Sequence, residues 1–224
     1  MKIDILTLFP EMFAPLKTSI LGRACDSGKL DINLINIRDF SKDKHKKCDD
    51  EIYGGGAGML MTAQPIYDAI MSVKSENSSI FYFSPKGRTF NQEYAKEMSE
   101  LEHIILICGH YEGIDERIID IFSPNLISVG DFVLTGGEIP AMLVVDCVSR
   151  LCDGVITRDS LSEESFENNL LEYKQYTRPA EFMGLKVPDV LLSGNHAEIA
   201  KFRKQCALEE TKKYRPDLLG GDNE

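Results

Sequence analysis

The sequence predicts an α/β fold built on a parallel sheet, and three observations support this prediction. Short apolar runs bounded by glycine or proline recur along the first two thirds of the chain, and such runs are typical of strands buried on both faces. Segments with helical periodicity separate these runs, which is the pattern of a parallel sheet. Glycine-rich turns directly follow three of the runs, where ligands of open α/β sheets bind.

The strands are predicted near residues 3–8, 30–37, 80–83, 104–107 and 126–129. The helices are predicted near residues 11–27, 64–73, 90–100, 115–122 and 138–152. Pro65 lies close to the start of the second helix, where a proline is tolerated. The last helix is apolar around most of its circumference, so we expect it to be buried on more than one side, within the fold or against a second subunit.

The three glycine-rich turns predict one pocket formed by three loops. Ser84–Gly87 follows the third strand, Cys108–Gly113 follows the fourth, and Gly130–Gly137 follows the fifth. Glycine allows a backbone to approach a ligand closely, and the carboxyl ends of parallel strands share one edge of a sheet. Three ordinary strand-to-helix turns are the alternative interpretation.

A fourth loop and two charged side chains are further candidates. Tyr53–Met59 contains four glycines within five residues but matches neither a Walker loop nor a dinucleotide fingerprint, so it is either a close backbone approach or a flexible loop. Glu112 could hold a metal, a ribose hydroxyl or a ligand amine, or it could cap the following helix. Arg150 ends the apolar helix, where a cation also compensates the helix dipole.

Composition excludes some classes of protein. The net charge of −11 argues against a generic nucleic-acid binder, although basic clusters within 42–47 and 201–215 could hold a phosphate backbone. No apolar run approaches the roughly 20 residues that span a bilayer, and the first ten residues do not resemble a signal peptide. The six cysteines include no Cys-x-x-Cys pair, which disfavours a zinc site or a dithiol redox motif. We therefore expect a cytoplasmic protein with reduced thiols.

Cys108, in a pocket loop, is expected to be more exposed than the other cysteines.

The composition changes near Thr157. Residues 158–169 are polar and acidic, as in a linker, and we expect the segment 158–170 to be poorly ordered in the absence of a substrate. A helical pattern begins at Asn195, with an apolar face formed by Ile199, Phe202, Cys206 and Leu208. The sequence therefore predicts a large domain over 1–157, a linker over 158–171 and a small helical domain over 172–224.

Seven segments taken together resemble one known family. In chain order they are Ile3–Phe13, Tyr53–Met61, Ser84–Arg88, Cys108–Arg117, Ser128–Arg150, Tyr176–Pro179 and Val190–Gly194. In sequence and order they resemble the bacterial tRNA (guanine-37-N1)-methyltransferases, the TrmD family of the SPOUT superfamily. The resemblance covers nearly the whole chain.

The resemblance implies features that residue patterns do not show. It implies a deep trefoil knot in the first domain, an obligate homodimer with the apolar helix at its interface, and a C-terminal helical domain that binds the anticodon stem-loop of tRNA. It also implies that the knot loops bind S-adenosylmethionine. The matching cofactor contacts are Tyr82, Phe83, Ser84, Pro85, Gly109, Tyr111, Glu112, Gly113, Ser128, Val129, Gly130, Phe132, Leu134, Gly136 and Gly137.

The implied reaction is methyl transfer from S-adenosylmethionine to N1 of guanosine-37, next to the anticodon. N1 is a weak nucleophile while it carries a proton, so a general base is required, and a cation stabilises the negative charge that develops towards O6. By the resemblance, Glu164 of the opposite subunit is the base and Arg150 is the cation. A magnesium requirement is also implied, with Glu112 as the nearby carboxylate.

The chain departs from the family pattern at three places. Glu164 stands where the family motif Glu-Asp-Ser-Phe has aspartate, Glu51-Ile52 replaces the usual Arg-Pro before the glycine-rich loop, and the linker is about one residue shorter than expected for relatives. The first departure leaves open an RNA-binding module that has lost catalysis. A nucleotide-binding Rossmann oxidoreductase is the third alternative, and the absence of Gly-x-Gly-x-x-Gly after the first strand disfavours it.

Overall fold

The computed structural model describes residues 1–157 and 164–220. Within these residues the chain divides into two compact units, Met1–Ile156 and Thr157–Glu224, and each is described by itself. Residues 158–163, the first six of the fourteen residues in the predicted linker, lie outside the described part. No helix in the described part is long and apolar enough to cross a membrane.

The first unit is built on a five-stranded parallel sheet, as the sequence predicts. The strands of this unit are β1 (Lys2–Thr7), β2 (Asp31–Asn36), β3 (Asp49–Glu51), β4 (Met59–Met61), β5 (Ser78–Thr89), β6 (His103–Ile107) and β7 (Asn125–Ser128). The sheet order is β2-β1-β6-β5-β7, and β3 and β4 form a separate antiparallel pair. The last three strands are therefore adjacent, and their carboxyl ends lie side by side.

Helices cover both faces of the sheet because strand side chains alternate between two apolar clusters. Ile5 and Leu106 belong to one cluster, whereas Leu6 and Ile105 belong to the other. The first cluster includes side chains from the 3₁₀-helix Pro10–Lys17 and from helices α1 (Ser19–Asp26), α3 (Gln92–Ser99) and α5 (Glu138–Ser149). The second includes side chains from α2 (Ala63–Val73) and α4 (Glu116–Phe122).

The predicted helix over residues 11–27 is two elements. The 3₁₀-helix Pro10–Lys17 contains Pro15, and Thr18 is extended, with φ −121° and ψ 169°, before α1 begins. Proline lacks the N–H that an α-helix requires and clashes with the preceding turn. The proline therefore explains why the apolar periodicity is not one continuous helix.

Strand β5 is longer than predicted because it contains a bulge. Phe83 and Arg88 both lie opposite Ile127 of β7, so Ser84–Gly87 loop out of the ladder between them. A Cβ atom at Gly87 would overlap the backbone of β7. The bulge places a loop beside the carboxyl end of the strand, as bulges near functional sites often do.

Helix α5 is less completely buried than its composition suggests. Ala141, Val144 and Val148 are buried against the sheet. On the same helix, Ile139 and Leu143 are 49% and 48% exposed. The helix therefore has a half-exposed apolar stripe besides its buried face.

The second unit is small and mainly helical. Its elements are the 3₁₀-helix Glu167–Asn169, the hairpin of β8 (Glu181–Phe182) and β9 (Leu185–Lys186), α6 (Asp189–Leu192), α7 (His196–Tyr214) and the 3₁₀-helix Pro216–Leu219. Asn195 caps α7 as a helix N-cap should. Cys206, Ala207 and Thr211 form the buried face of α7, and the Thr211 hydroxyl accepts a hydrogen bond from the Leu171 amide at 2.8 Å. Of these three, the predicted apolar face included Cys206 alone.

Candidate active site

The bulge within β5 and the loops that follow β6 and β7 line one pocket of about 270 Å³. Every residue matched to a cofactor contact lines it: Tyr82, Phe83, Ser84, Pro85, Gly109, Tyr111, Glu112, Gly113, Ser128, Val129, Gly130, Phe132, Leu134, Gly136 and Gly137. The resemblance had not included five more lining residues, which are His110, Ile127, Val133, Thr135 and Pro140. The structure therefore brings the three loops together as the sequence predicts, at the strand ends where α/β sheets bind ligands.

Backbone hydrogen bonds hold two of the pocket loops together. The Gly137 amide donates to the Gly109 carbonyl at 2.8 Å, and His110 and Gly136 form an isolated β-bridge. The chain after β7 therefore returns to the end of β6, although β5 lies between these two strands in the sheet. Tyr111 has a φ of 57°, an unusual left-handed conformation for a bulky residue.

Strand β4 supports the loop after β6 from outside the pocket. The Glu112 amide donates to the Met59 carbonyl at 3.1 Å, and the Met61 amide donates to the Gly113 carbonyl at 3.0 Å. A Cβ at Gly58 would overlap the Glu112 carboxylate, whereas Cβ atoms at 54–56 would have open space. The last glycine of this loop therefore marks a close approach, and the flexibility of the rest of the loop stays a prediction.

A buried polar cluster beneath the pocket was not predicted from the sequence. Glu138 is 1% exposed at the first residue of α5, where the helix dipole favours a carboxylate. The Thr7 hydroxyl donates to Glu138 Oε1 at 2.9 Å, and His110 Nδ1 lies 3.7 Å from Glu138 Oε2. A Cβ at Gly136 would lie 2.6 Å from His110 Nδ1 and would overlap the Glu138 carboxylate. Glycine is therefore required at 136 by these contacts rather than by its backbone angles.

The expectation that Cys108 is relatively exposed is wrong. Its side chain is fully buried in the first apolar cluster. Burial raises the pKa of the Cys108 thiol well above its usual value, and the nearby Glu138 charge raises it further. The thiol is therefore a neutral core group and not part of the pocket wall.

Tyr82 contributes a neutral hydroxyl near the loop after β6. Burial raises the pKa of Tyr82, so the phenol keeps its proton at neutral pH. A Cβ at Gly109 would lie 2.9 Å from the Tyr82 ring. The glycine therefore allows this ring to pack directly against the loop backbone.

Glu112 is not a helix cap. Asp115 has that role for α4, accepting a hydrogen bond from the Arg117 amide at 3.0 Å. Within residues 1–157 and 164–220, no group of three or more His, Cys, Asp or Glu side chains could hold a metal ion. Glu112 alone does not make a metal site built by the protein, although the residue lines the pocket.

The two candidate catalytic residues belong to different units. Arg150 follows the last turn of α5 in the first unit, and its amide donates to the Asp146 carbonyl at 3.3 Å. Glu164 belongs to the second unit, and its carbonyl accepts a hydrogen bond from the Glu167 amide at 3.2 Å. Neither residue lines the pocket of the first unit.

The fold and the pocket define a protein of the open α/β class with a ligand site at the carboxyl ends of three adjacent parallel strands. Residues 1–221 match the family described as tRNA (Guanine-1)-methyltransferase TrmD. The chain belongs to this family. It is an enzyme, a tRNA guanine-N1 methyltransferase that uses S-adenosylmethionine and acts at guanosine-37.

Relatives support the same assignment over nearly the full chain. A tRNA (guanine-N(1)-)-methyltransferase of Caldanaerobacter subterraneus subsp. tengcongensis is 60% identical over 222 residues, which cover 98% of this chain and 92% of the relative. Enzymes of the same name from Ruminiclostridium cellulolyticum and Clostridioides difficile are 55% and 53% identical. Those two alignments cover 98% and 100% of this chain, and 96% and 100% of the relatives.

Proposed function

We propose that the pocket at the ends of β5, β6 and β7 holds S-adenosylmethionine and that the methyl group passes from there to N1 of guanosine-37 in tRNA. One observation supports this most: three glycine-rich loops, each at the end of a parallel strand, line a single pocket. The knot, the homodimer and the residue roles below belong to the same proposal.

The charge of the pocket suits this cofactor. S-adenosylmethionine carries a positive sulfonium and an amino group, and Glu112 provides a carboxylate for the amino group. None of the described lining residues is lysine or arginine, so the pocket does not favour the phosphates of a nicotinamide cofactor. The apolar side chains of Phe132, Leu134 and Pro140 suit the adenine ring, and backbone groups of the glycine loops suit its polar edge.

Glu164 and Arg150 supply the groups that N1 methylation needs. The bound cofactor supplies an electrophilic methyl group. The Glu164 carboxylate accepts the N1 proton, which frees an electron pair on N1 to form the new bond. The Arg150 guanidinium stabilises the charge that develops on O6. Glutamate is a carboxylate like the family aspartate, so the chemistry is retained with a side chain one methylene longer.

The active form is a homodimer in which the partner subunit supplies Glu164. A hollow beside α5 supports this, because it is lined by apolar side chains that include Ile20, Ile139, Met142 and Leu143. Three of these four are strongly exposed in the single chain, and contiguous exposed apolar surface marks an interface. A second copy of α5 would cover it.

The path of the chain after β7 supports a trefoil knot. This segment leaves the edge strand, returns to the loop after β6 at Gly137, and continues into α5. Helix α5 then packs against α3 and the 3₁₀-helix Pro10–Lys17. The knot would fix the three loops relative to one another and so preform the pocket.

The remaining parts of the proposal concern tRNA and metal. Residues 158–171 act as the linker and 172–224 as the domain that binds the anticodon stem-loop, in the cytoplasm where tRNA is found. The described residues do not form a magnesium site of their own, so no step of the reaction is assigned to that ion.

The experiment is methyl transfer from labelled S-adenosylmethionine to a tRNA transcript with guanosine at position 37. We expect label in N1-methylguanosine after digestion, and none with a transcript that has adenosine at position 37. Calorimetry on the same protein should show binding of S-adenosylmethionine and not of NAD. Cofactor binding without methyl transfer would support the RNA-binding module instead, and NAD binding would support the oxidoreductase.

A further inference from the structure

The second unit contains a cleft of about 530 Å³ that has no role in the reaction described above. The segment Tyr173–Arg178 forms one part of its lining, and Arg203 of α7 forms another. Val187, Leu191 and Ile199 add apolar side chains. The cleft therefore combines aromatic, cationic and aliphatic groups within one small unit.

The aromatic side chains of the cleft suit a flat ligand. The Arg203 guanidinium lies over the Tyr173 ring, 4.7 Å from its centroid, so the two form a stack in the lining. Tyr176, three residues further on, is 46% exposed. Aromatic rings and arginine planes are the surfaces on which unpaired bases stack.

The charge of the cleft suits a phosphate. Its described lining residues include Lys174, Arg178 and Arg203 and no acidic side chain. Lys174 is partly neutralised by Glu210, whose carboxylate lies 3.1 Å away. Residues 164–220 contain nine Lys or Arg and nine Asp or Glu, whereas the whole chain has 25 and 36. Residues 164–220 therefore have no net charge, which favours RNA more than the negative average of the whole chain does.

We propose that this cleft binds one unpaired nucleotide of the tRNA, separate from the guanosine that is methylated. The base stacks on the exposed ring of Tyr176, and Arg178 contacts the phosphate. The site would add a contact to an unpaired nucleotide, which is how proteins commonly recognise RNA outside helices. This inference rests on the proposed function, because it requires tRNA as the substrate.

The test compares steady-state methylation of a tRNA transcript by full-length variants. Tyr176→Ala should raise the KM for tRNA about tenfold or more, because the loss of one base–aromatic stack weakens RNA binding by about that factor. The affinity for S-adenosylmethionine should not change. Tyr176→Phe keeps the ring and should stay within about twofold of wild type. The matched control is Tyr214→Ala, an exposed tyrosine of the same unit that does not line the cleft.

A second measurement does not depend on how well the variants fold. Transcripts with 4-thiouridine at unpaired uridines, irradiated on the wild-type enzyme, should cross-link to residues within 173–203. Cross-links that map only elsewhere, or equal effects of Tyr176→Ala and Tyr214→Ala on KM, would overturn the inference. With either of these results the wild-type enzyme would still methylate guanosine-37. If the proposed function itself were wrong, the wild-type enzyme would not methylate it.

Discussion

Gly136 illustrates how one residue couples two walls of the pocket. Its backbone passes between His110 and Glu138, and neither side chain leaves room for a Cβ. The Glu138 carboxylate is buried and held by the Thr7 hydroxyl, so it cannot move aside without losing a hydrogen bond. Any side chain at 136 must therefore displace the loop that it shares with Gly137.

Gly136→Ala should weaken the binding of S-adenosylmethionine at least tenfold, because the added methyl group separates the loops after β6 and β7. Calorimetry measures this directly. Gly54→Ala is the contrast: Gly54 has a φ of 87° but open space around it, so the change costs roughly 1–3 kcal/mol of stability through backbone strain and should leave cofactor affinity unchanged. Equal cofactor affinity of wild type and Gly136→Ala would contradict the proposed pocket.

Sequence patterns identified the glycines of the pocket but not the polar side chains beneath it. Glu138 appears in the sequence as an acid in the first turn of a helix, which is ordinary. Only the packing of α5 against β1 brings it to Thr7, 131 residues away. The expectation that Cys108 is exposed is wrong for a similar reason. The spacing of apolar residues along the sequence does not specify which side chains of a loop face the core.

At the scale of elements, helix α4 begins at a charged N-cap, Asp115. Asp115 accepts hydrogen bonds from the amide and the guanidinium of Arg117, and the second bond is 2.6 Å long. Hydrogen bonding to Arg117 lowers the pKa of Asp115 below its usual value. The carboxylate therefore contributes stability at neutral pH, and this contribution is lost as the pH falls through the lowered pKa.

Asp115→Ala should lower the free energy of unfolding by about 1 kcal/mol at pH 7, the usual cost of a lost N-cap. Asp115→Asn retains a cap acceptor without the charge, so its loss should be smaller. Urea unfolding measures both. The difference between wild type and Asp115→Asn should begin to fall near pH 4, the ordinary pKa of aspartate, and should vanish only below the lowered pKa of the folded protein. A difference that does not change with pH would show that the charge has no part.

The next prediction concerns dimer formation through helix α5. Wild type should have the mass of two chains by light scattering at micromolar concentration. Leu143→Glu places a charge in the apolar stripe of α5, so burial against a second copy becomes unfavourable and the mass should fall to that of one chain. Ile121→Glu is the control, because Ile121 of α4 is 57% exposed and lies outside the hollow beside α5. If wild type has the mass of one chain, the proposal of a homodimer is contradicted.

The elements themselves were largely predictable because their signals are local. Apolar runs bounded by turns located all five strands of the main sheet within two residues at their starts. The 3₁₀-helix around Pro15 and the bulge after Phe83 were missed, since both depend on a break in an otherwise regular pattern. A bulge needs a partner strand to exist, so the sequence of β5 alone does not specify it.

At the scale of the whole molecule, cofactor pocket and proposed base lie in different units. All the residues that line the pocket proposed for the cofactor lie within Met1–Ile156, whereas Glu164 belongs to Thr157–Glu224. The composition change near Thr157 falls at the boundary between the two units. Strand order and the path of the chain depend on long-range packing, and the spacing of apolar residues along the sequence does not specify them. The predicted disorder of 158–170 stays a prediction, since half of that segment lies outside the described residues.

The most direct test of the account is the single-turnover rate of methyl transfer to guanosine-37 by Glu164→Gln at saturating S-adenosylmethionine. The amide keeps the shape of the side chain but cannot accept the N1 proton, so we expect the rate to fall by roughly 10²–10⁴. Cofactor affinity should stay within about threefold, and Glu164→Asp should remain active. A Gln variant with the wild-type rate would contradict the account and would assign the role of base to another carboxylate, with Glu163 and Glu172 the next candidates.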